Sequence, residues 1–229
     1  MNFDGIIACG DSYTIGPVVE GNLNMDQSWP AHLGKIMDLP VVNLSRGGSS
    51  NTEISLQPLK LQREFNSPLI VFGFTIHYRF PYFNNKGNIH SMYGMLDSDF
   101  EFEHNRSTNS ILLAKDWMQK FLLPTDNGLS GTENMLVASI ERIFGYQKLN
   151  PNSKVIWGIL HSDSPEGPAI PNNIINHIPQ EYMDYCFNDD NKPFENISYE
   201  NHTISDTDQH PNSDGLKKYA QKIHNFINT

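Results

Sequence analysis

Four short, mainly apolar runs punctuate the chain, at residues 5–9, 41–44, 69–72 and 154–160, and each leads into polar or glycine-bearing residues. A strand with one wet face alternates apolar and polar positions, so runs of this length without that alternation predict strands buried on both faces. Between the first two, the spacing of Trp29, Leu33, Ile36 and Met37 puts these side chains on one side of a helix over 29–37. Ser28 is its candidate N-cap, and Pro30 suits the first turn. A helix over about 51–65, bent by Pro58, separates the second and third strands. Helices over about 108–123 and 132–148 precede the fourth, and a last helix over about 213–227 carries a stripe of Leu216, Tyr219, Ala220, Ile223 and Phe226 or Ile227. This order predicts a mainly parallel sheet with helices on both faces. Two segments break the pattern. Residues 80–107, rich in aromatic, Asn and charged residues, read as an insertion or lid, and 161–205, with several prolines, asparagines and acids, as a long loop holding one short helix. With no repeat or interdomain linker, residues 1–229 are expected to form one domain carrying these two insertions.

Composition narrows the classes. A formal charge of −10 and a pI near 5.2 argue against nucleic acid or an anionic membrane as partner, because both select basic faces. Apolar residues make up 38%, enough for a core, yet nowhere is there the run of about 20 that a membrane span requires. The opening MNFDGIIACG lacks a basic stretch and a long apolar one, so cytoplasmic synthesis without a signal peptide is expected. Cys9 and Cys186 lie far apart with no Cys-x-x-Cys or Cys/His cluster, which predicts neither a zinc site nor a disulfide framework, and Cys9 reads as a buried thiol.

In open parallel sheets ligands bind beyond the carboxyl ends of the strands. There the sequence offers Asp11 and Ser12 after the first strand, and Gly47, Gly48 and Asn51 after the second. Gly73, Thr75 and His77 follow the third, and Asp206, Asp208 and His210 precede the last helix. A hydroxyl, an imidazole, a carboxylate and backbone N–H groups are the parts of a nucleophilic serine site. Other chemistries lack their motifs. Ser12 is followed by Tyr13 and Thr14 rather than set in Gly-x-Ser-x-Gly, and no Gly-x-Gly-x-x-Gly or phosphate-loop Gly-Lys-Ser/Thr is present. The histidines form no His-Glu-x-x-His, and His161-Ser162-Asp163 reads as a loop, so no metal and no cofactor are expected. The aromatic group Phe72, Phe74, Tyr78, Phe80, Tyr82 and Phe83 reads as core and insertion packing, part of it lining a pocket where Phe74 to Arg79 leave the strand. Asp189, Asp190 and Glu195 read as a solvated acidic loop.

Gly10-Asp11-Ser12, the Asn-x-x-x-x-Gly segment ending at Gly48, and Asp208-Gln209-His210-Pro211 before the last helix together resemble the SGNH, or GDSL-type, serine hydrolases. The resemblance covers about residues 5–76 and 204–228, and the middle through element order. It implies a flavodoxin-like three-layer α/β/α fold and hydrolysis of esters, with Ser12 as nucleophile, His210 as general base and the N–H groups of Ser12 and Gly48 as oxyanion donors. Two positions depart from the family pattern. Gly73-Phe74-Thr75 stands where the family has Gly-x-Asn, which makes Thr75 the third oxyanion donor, with Asn51 and His77 as alternatives. The family's acid lies three residues before the histidine, where this chain has Thr207, so Asp208 is the expected acid and Asp206 the alternative. Asp-x-His-Pro with Gly73, Thr75 and Arg79 is similar to variants in tailed bacteriophages. The expected substrate is a short acyl ester, such as an O-acetyl group on carbohydrate. The rival expectation is a catalytically silent module of the same fold that binds glycan or serves in a virion, and either a cytoplasmic or a virion-associated location is compatible with the sequence.

Overall fold

The computed structural model of the chain describes residues 2–19, 22–61, 64–75, 125–161, 169–188 and 210–229, and the backbone of 79–83 and 89–93. Four parallel strands form the central sheet: β1 (Gly5–Cys9), β4 (Val41–Asn43), β5 (Pro68–Phe74) and β8 (Lys154–Ile159), in the order β4-β1-β5-β8. Ile6 pairs with Val41 on one side and Leu69 on the other, and Ile70 with Val155. Beyond β8 a further parallel bridge joins Trp157 to Cys186. This is the three-layer, flavodoxin-like α/β/α arrangement expected from the resemblance.

Alternation along the buried strands divides the core in two. Ile6, Ala8, Leu69, Val71 and Ile156 point to one face and meet α2 (Trp29–Met37) and the C-terminal helix Ser213–Ile227. Ile7, Cys9, Ile70, Phe72, Phe74, Val155 and Trp157 point to the other, against α3 (Asn51–Leu56) and α4 (Gly131–Leu149). The N-caps follow from side-chain oxygens. Ser28 accepts from the Ala31 N–H at 3.4 Å, and Ser130 forms a reciprocal capping box with Glu133. Cys9 is a free, fully buried thiol, and burial pushes its pKa well up.

Several expectations need correction. The helix foreseen over 51–65 stops at Leu56 and tightens into a 3-10 turn, Gln57–Lys60, because Pro58 has no N–H to continue the helical bonds. The segment 80–107, expected as an insertion or lid, carries with Arg79 an antiparallel ribbon of β6 (Arg79–Phe83) and β7 (Ile89–Tyr93). Pro81 is compatible with it because each strand of a two-stranded ribbon keeps one unpaired edge. In place of one helix within 161–205 there are two among the described residues, α5 (Asn172–Ile175) and α6 (Gln180–Met183), each entered from a proline, Pro171 and Pro179, taken as loop signals. The C-terminal helix, α7, spans Ser213–Ile227. Two small elements escaped the sequence reading: α1 (Ser12–Ile15) and a hairpin of β2 (Val18–Val19) and β3 (Asn22–Leu23). The helix expected over 108–123 and the acidic residues Asp189, Asp190 and Glu195 lie outside the described residues.

Candidate functional site

The strand order reverses direction at β1: the chain moves from β1 outward to β4, then returns to place β5 on the other side. The crevice beyond the carboxyl ends of β1 and β5 is therefore the switch point where this architecture exposes a site. Gly10, Asp11 and Ser12 leave β1 there. Asp11 is buried and caps α1, its carboxylate accepting from the Tyr13 N–H at 3.0 Å, which puts partly exposed Ser12 in the first helical position. Glycine is required just before it. A Cβ on Gly10 would lie 2.0 Å from Thr14 Oγ1, and one on Gly73 would lie 2.9 Å from the same atom and 2.4 Å from Leu160 Cδ1. Two glycines on adjacent strands thus let α1 rest directly on the sheet edge.

From the far end of the chain, buried Pro211 and the N-cap Asn212 anchor the start of α7, whose amide oxygen accepts from the N–H groups of Asp214 and Gly215 at 3.0 and 3.1 Å. His210 immediately precedes them, and its Nε2 lies 2.9 Å from Ser12 Oγ. Residues 198 positions apart are thereby within hydrogen-bond reach. With Nε2 accepting from the hydroxyl, the ring proton belongs on Nδ1. Gly48 sits in a turn closed by the Ser49 N–H donating to the Arg46 carbonyl at 3.2 Å, and its φ of 77° is one that only glycine adopts readily. Among the described residues, a Cβ on Gly47 or Gly48 would meet open space, so the turn forms an uncrowded floor.

Side-chain amides fix the strand ends. Gln57, fully buried, accepts from the Gly10 N–H at 2.8 Å and donates to the Gly10 carbonyl at 2.9 Å. Asn51 pairs in the same way with Thr75, accepting from its N–H at 2.9 Å and donating to its carbonyl at 3.0 Å. Asn188 does so with Ile159, at 2.6 and 2.9 Å. Each amide replaces the next residue of a neighbouring strand where the ladder has ended, and a buried main-chain group left unpaired costs about 1–3 kcal/mol. The Asn51 amide is thus engaged in holding Thr75. The Thr75 hydroxyl, by contrast, is buried with no hydrogen-bond partner among the described residues.

The structure therefore brings Ser12 to His210 and Asn51 to Thr75, with Gly48 in the adjoining turn. Asp206, Asp208 and His77 lie outside the described residues, as do Tyr78 and the side chains of Arg79, Phe80, Tyr82 and Phe83. Phe72 and Phe74 are buried core. Gln57, the Gly10 clamp, was missed; its polar side chain within a helical stretch gives no sign of which backbone it faces. His161, read as an ordinary loop residue, stacks on Tyr13 with ring centroids 4.7 Å apart.

Comparison with known proteins supports the fold. No family model matches the sequence, and no curated protein is similar to it in sequence. Among solved structures, the chain is similar to a protein described as lipolytic and of the G-D-S-L family from Desulfitobacterium hafniense DCB-2, with 16% identity, a TM-score of 0.51, and coverage of 97% of this chain and 99% of that one. It is similar to the psychrotrophic esterase EstA from Pseudoalteromonas sp., with 14% identity, a TM-score of 0.51, and coverage of 98% and 97%. A carbohydrate esterase whose active site is described as having divergent catalytic and non-catalytic binding functions matches with 12% identity and a TM-score of 0.52. The match covers 98% of this chain, which spans 65% of the length of that esterase. At these identities the likeness is one of fold, the three-layer α/β/α sandwich.

Proposed function

We propose that the protein is a serine ester hydrolase acting through an acyl-enzyme on Ser12. The observation that carries this reading is the 2.9 Å approach of His210 Nε2 to Ser12 Oγ at the switch point of the sheet. Neighbours of the same fold that are named as a lipolytic protein, an esterase and a carbohydrate esterase support it.

In this mechanism His210 Nε2 takes the Ser12 proton as Oγ attacks the ester carbonyl, and the carbonyl electrons move onto oxygen. The N–H groups of Ser12 and Gly48 and the Thr75 hydroxyl are the proposed donors to that oxyanion. A buried donor without a partner has its hydrogen available when charge develops, which is the state a preorganised oxyanion site requires. The imidazolium then protonates the departing alcohol. Water, deprotonated by the same Nε2, attacks the acyl group and releases the acid with Ser12 restored. Asp208, or Asp206 in its place, is proposed to accept from His210 Nδ1, which holds the tautomer and stabilises the imidazolium. An O-acetyl ester on carbohydrate is the proposed substrate class, a reading supported by the neighbour of the same fold that is named a carbohydrate esterase.

The test is hydrolysis of p-nitrophenyl acetate by the protein beside Ser12→Ala and His210→Ala, each checked for folding by circular dichroism. Turnover lost by at least about 1,000-fold in both variants is expected, since triad members act as a unit. Equal background rates in all three would overturn general esterase activity. A glycan-binding screen would then examine the silent-module reading.

A further inference from the structure

The two main-chain donors proposed for the oxyanion, the N–H groups of Ser12 and Gly48, belong to separate stretches of chain, 10–14 and 43–49. Such donors must lie about 2.7–3.1 Å from one oxygen atom, so the relation between the two stretches matters as much as the conformation of either. Among the described residues, three hydrogen-bonded links join them. The Arg46 N–H donates to the Gly10 carbonyl at 3.1 Å, which continues the pairing of β1 with β4 past its last ladder residues. Gln57 Nε2 donates to the same carbonyl at 2.9 Å and reaches Ser49 Oγ at 3.5 Å. Asn43 Nδ2 donates to the Thr14 carbonyl at 3.2 Å. Ser12 is thereby bracketed by the tied residues Gly10 and Thr14, and Gly48 by Arg46 and Ser49.

Of these links, the one from Asn43 reaches α1 itself. A helix of four residues leaves its carbonyls without helical partners, and the Asn43 amide supplies one for Thr14. The other end of the same amide is engaged by the loop that leads to Gly48: Oδ1 accepts from the Ser45 N–H at 3.1 Å and from Ser45 Oγ. This pattern also fixes which way the amide faces, since the Ser45 N–H can only donate and the Thr14 carbonyl can only accept. Thr14 rests on Gly10 and Gly73, so packing relates α1 to the sheet. The Asn43 bridge relates it to the loop.

We propose that Asn43 is a positioning residue of the oxyanion site: its amide ties the helix bearing Ser12 to the loop bearing Gly48 and so sets how the two N–H groups stand relative to one another. This role rests on the acyl-enzyme reading above. Asn43 acts through the main chain on either side of it, and the hydrogen it gives to the Thr14 carbonyl is the part of the side chain that the role requires.

The experiment measures hydrolysis of p-nitrophenyl acetate and urea midpoints side by side. Asn43→Leu, close in volume but unable to donate or accept, is expected to lower kcat about 100-fold with KM held within about twofold. Asn43→Asp still accepts from Ser45 but has no hydrogen for the Thr14 carbonyl, so it should lose as much. Asn43→Gln keeps the amide and should recover at least about tenfold of that loss. The rate advantage of the oxygen ester over its thiono counterpart, whose sulfur accepts hydrogen bonds poorly, should shrink about tenfold in Asn43→Leu and Asn43→Asp. Ile143→Val, buried in α4 away from these links, should lower the urea midpoint and leave kcat as it is. A folded Asn43→Leu with unaltered kcat and thiono ratio overturns the proposal, as does a loss of kcat in Ile143→Val that follows its midpoint as closely as in the Asn43 variants. Should Asn43→Leu fail to fold, the contrast between Asn43→Asp and Asn43→Gln decides. If instead the unaltered protein shows no Ser12-dependent hydrolysis, the acyl-enzyme reading fails, and the NMR amide resonances of Ser12 and Gly48 decide the tie. Both should shift in Asn43→Asp and return in Asn43→Gln, and unmoved resonances overturn it.

Discussion

Thr75 is where chemistry and stability pull apart. Its main chain is held on both sides by Asn51, while its hydroxyl is buried and unpaired among the described residues, an arrangement that costs about 1–3 kcal/mol. Replacing Thr75 by Val removes the hydroxyl, keeps the shape and leaves the Asn51 clamp in place. The folded state should therefore gain up to about 1–3 kcal/mol, read as a higher denaturant midpoint. If the hydroxyl serves the oxyanion, kcat on p-nitrophenyl acetate should fall about 100-fold or more at nearly constant KM, and Thr75→Ser should recover most of it. A more stable variant with unaltered kcat would remove Thr75 from the oxyanion site. The sequence identified Thr75 by its place in a family pattern. It left Asn51 open as a donor because an amide's partner depends on the approach of α3 to the end of β5, which no local spacing records.

At the scale of elements, the placement of Ser12 depends on how closely α1 approaches the sheet. Gly10→Ala would put a methyl group 2.0 Å from Thr14 Oγ1 and drive α1 outward. Gln57→Leu would leave the Gly10 N–H without its amide partner, although the Gly10 carbonyl still accepts from the Arg46 N–H at 3.1 Å. We expect Gln57→Leu to destabilise the fold by about 1–3 kcal/mol and Gly10→Ala by a similar amount. Both should lower kcat, since displacement of a reacting group by about 1 Å costs on the order of 100-fold. Urea unfolding with parallel kinetics tests this, and wild-type values for Gly10→Ala would contradict the steric account. The buried strands, α2, α4 and α7 were readable because burial on both faces and the 3.6-residue stripe are imposed by the core itself. The ends of β5, the four residues of α1 and the hairpin of β2 and β3 were not. A fragment one turn long has no period to detect, and α1 exists because an Asp11 carboxylate, two glycines and a clamping glutamine meet in space.

Across the whole molecule, acid is expected to act first on the contact between α2 and α7, the layer that carries His210 into place. His32 lies in α2, and burial, followed by the positive charges of Lys35 and Lys217, holds its pKa below 6.5. Its Nε2 is buried without a hydrogen-bond partner among the described residues. The unfolded chain therefore takes up the proton first as pH falls through 6.5, and the folded state loses stability from there down to the lowered folded value. Asp4 acts lower on the scale. Its slight burial pulls the pKa up, but the Asn66 and Ser67 N–H groups, donating at 2.7 and 2.9 Å, outweigh it and bring the value below 3.8. The Asp4 contribution is present above the unfolded value and is lost as pH falls through the folded one. Urea midpoints measured between pH 7.5 and 3 should accordingly decline in two windows. His32→Gln should flatten the first and Asp4→Asn the second. If the first window is set by the packing of α7, esterase activity in mild urea should fail at the same pH in the unaltered protein and persist to lower pH in His32→Gln. An identical pH slope in both would place the acid-sensitive contact elsewhere than between α2 and α7.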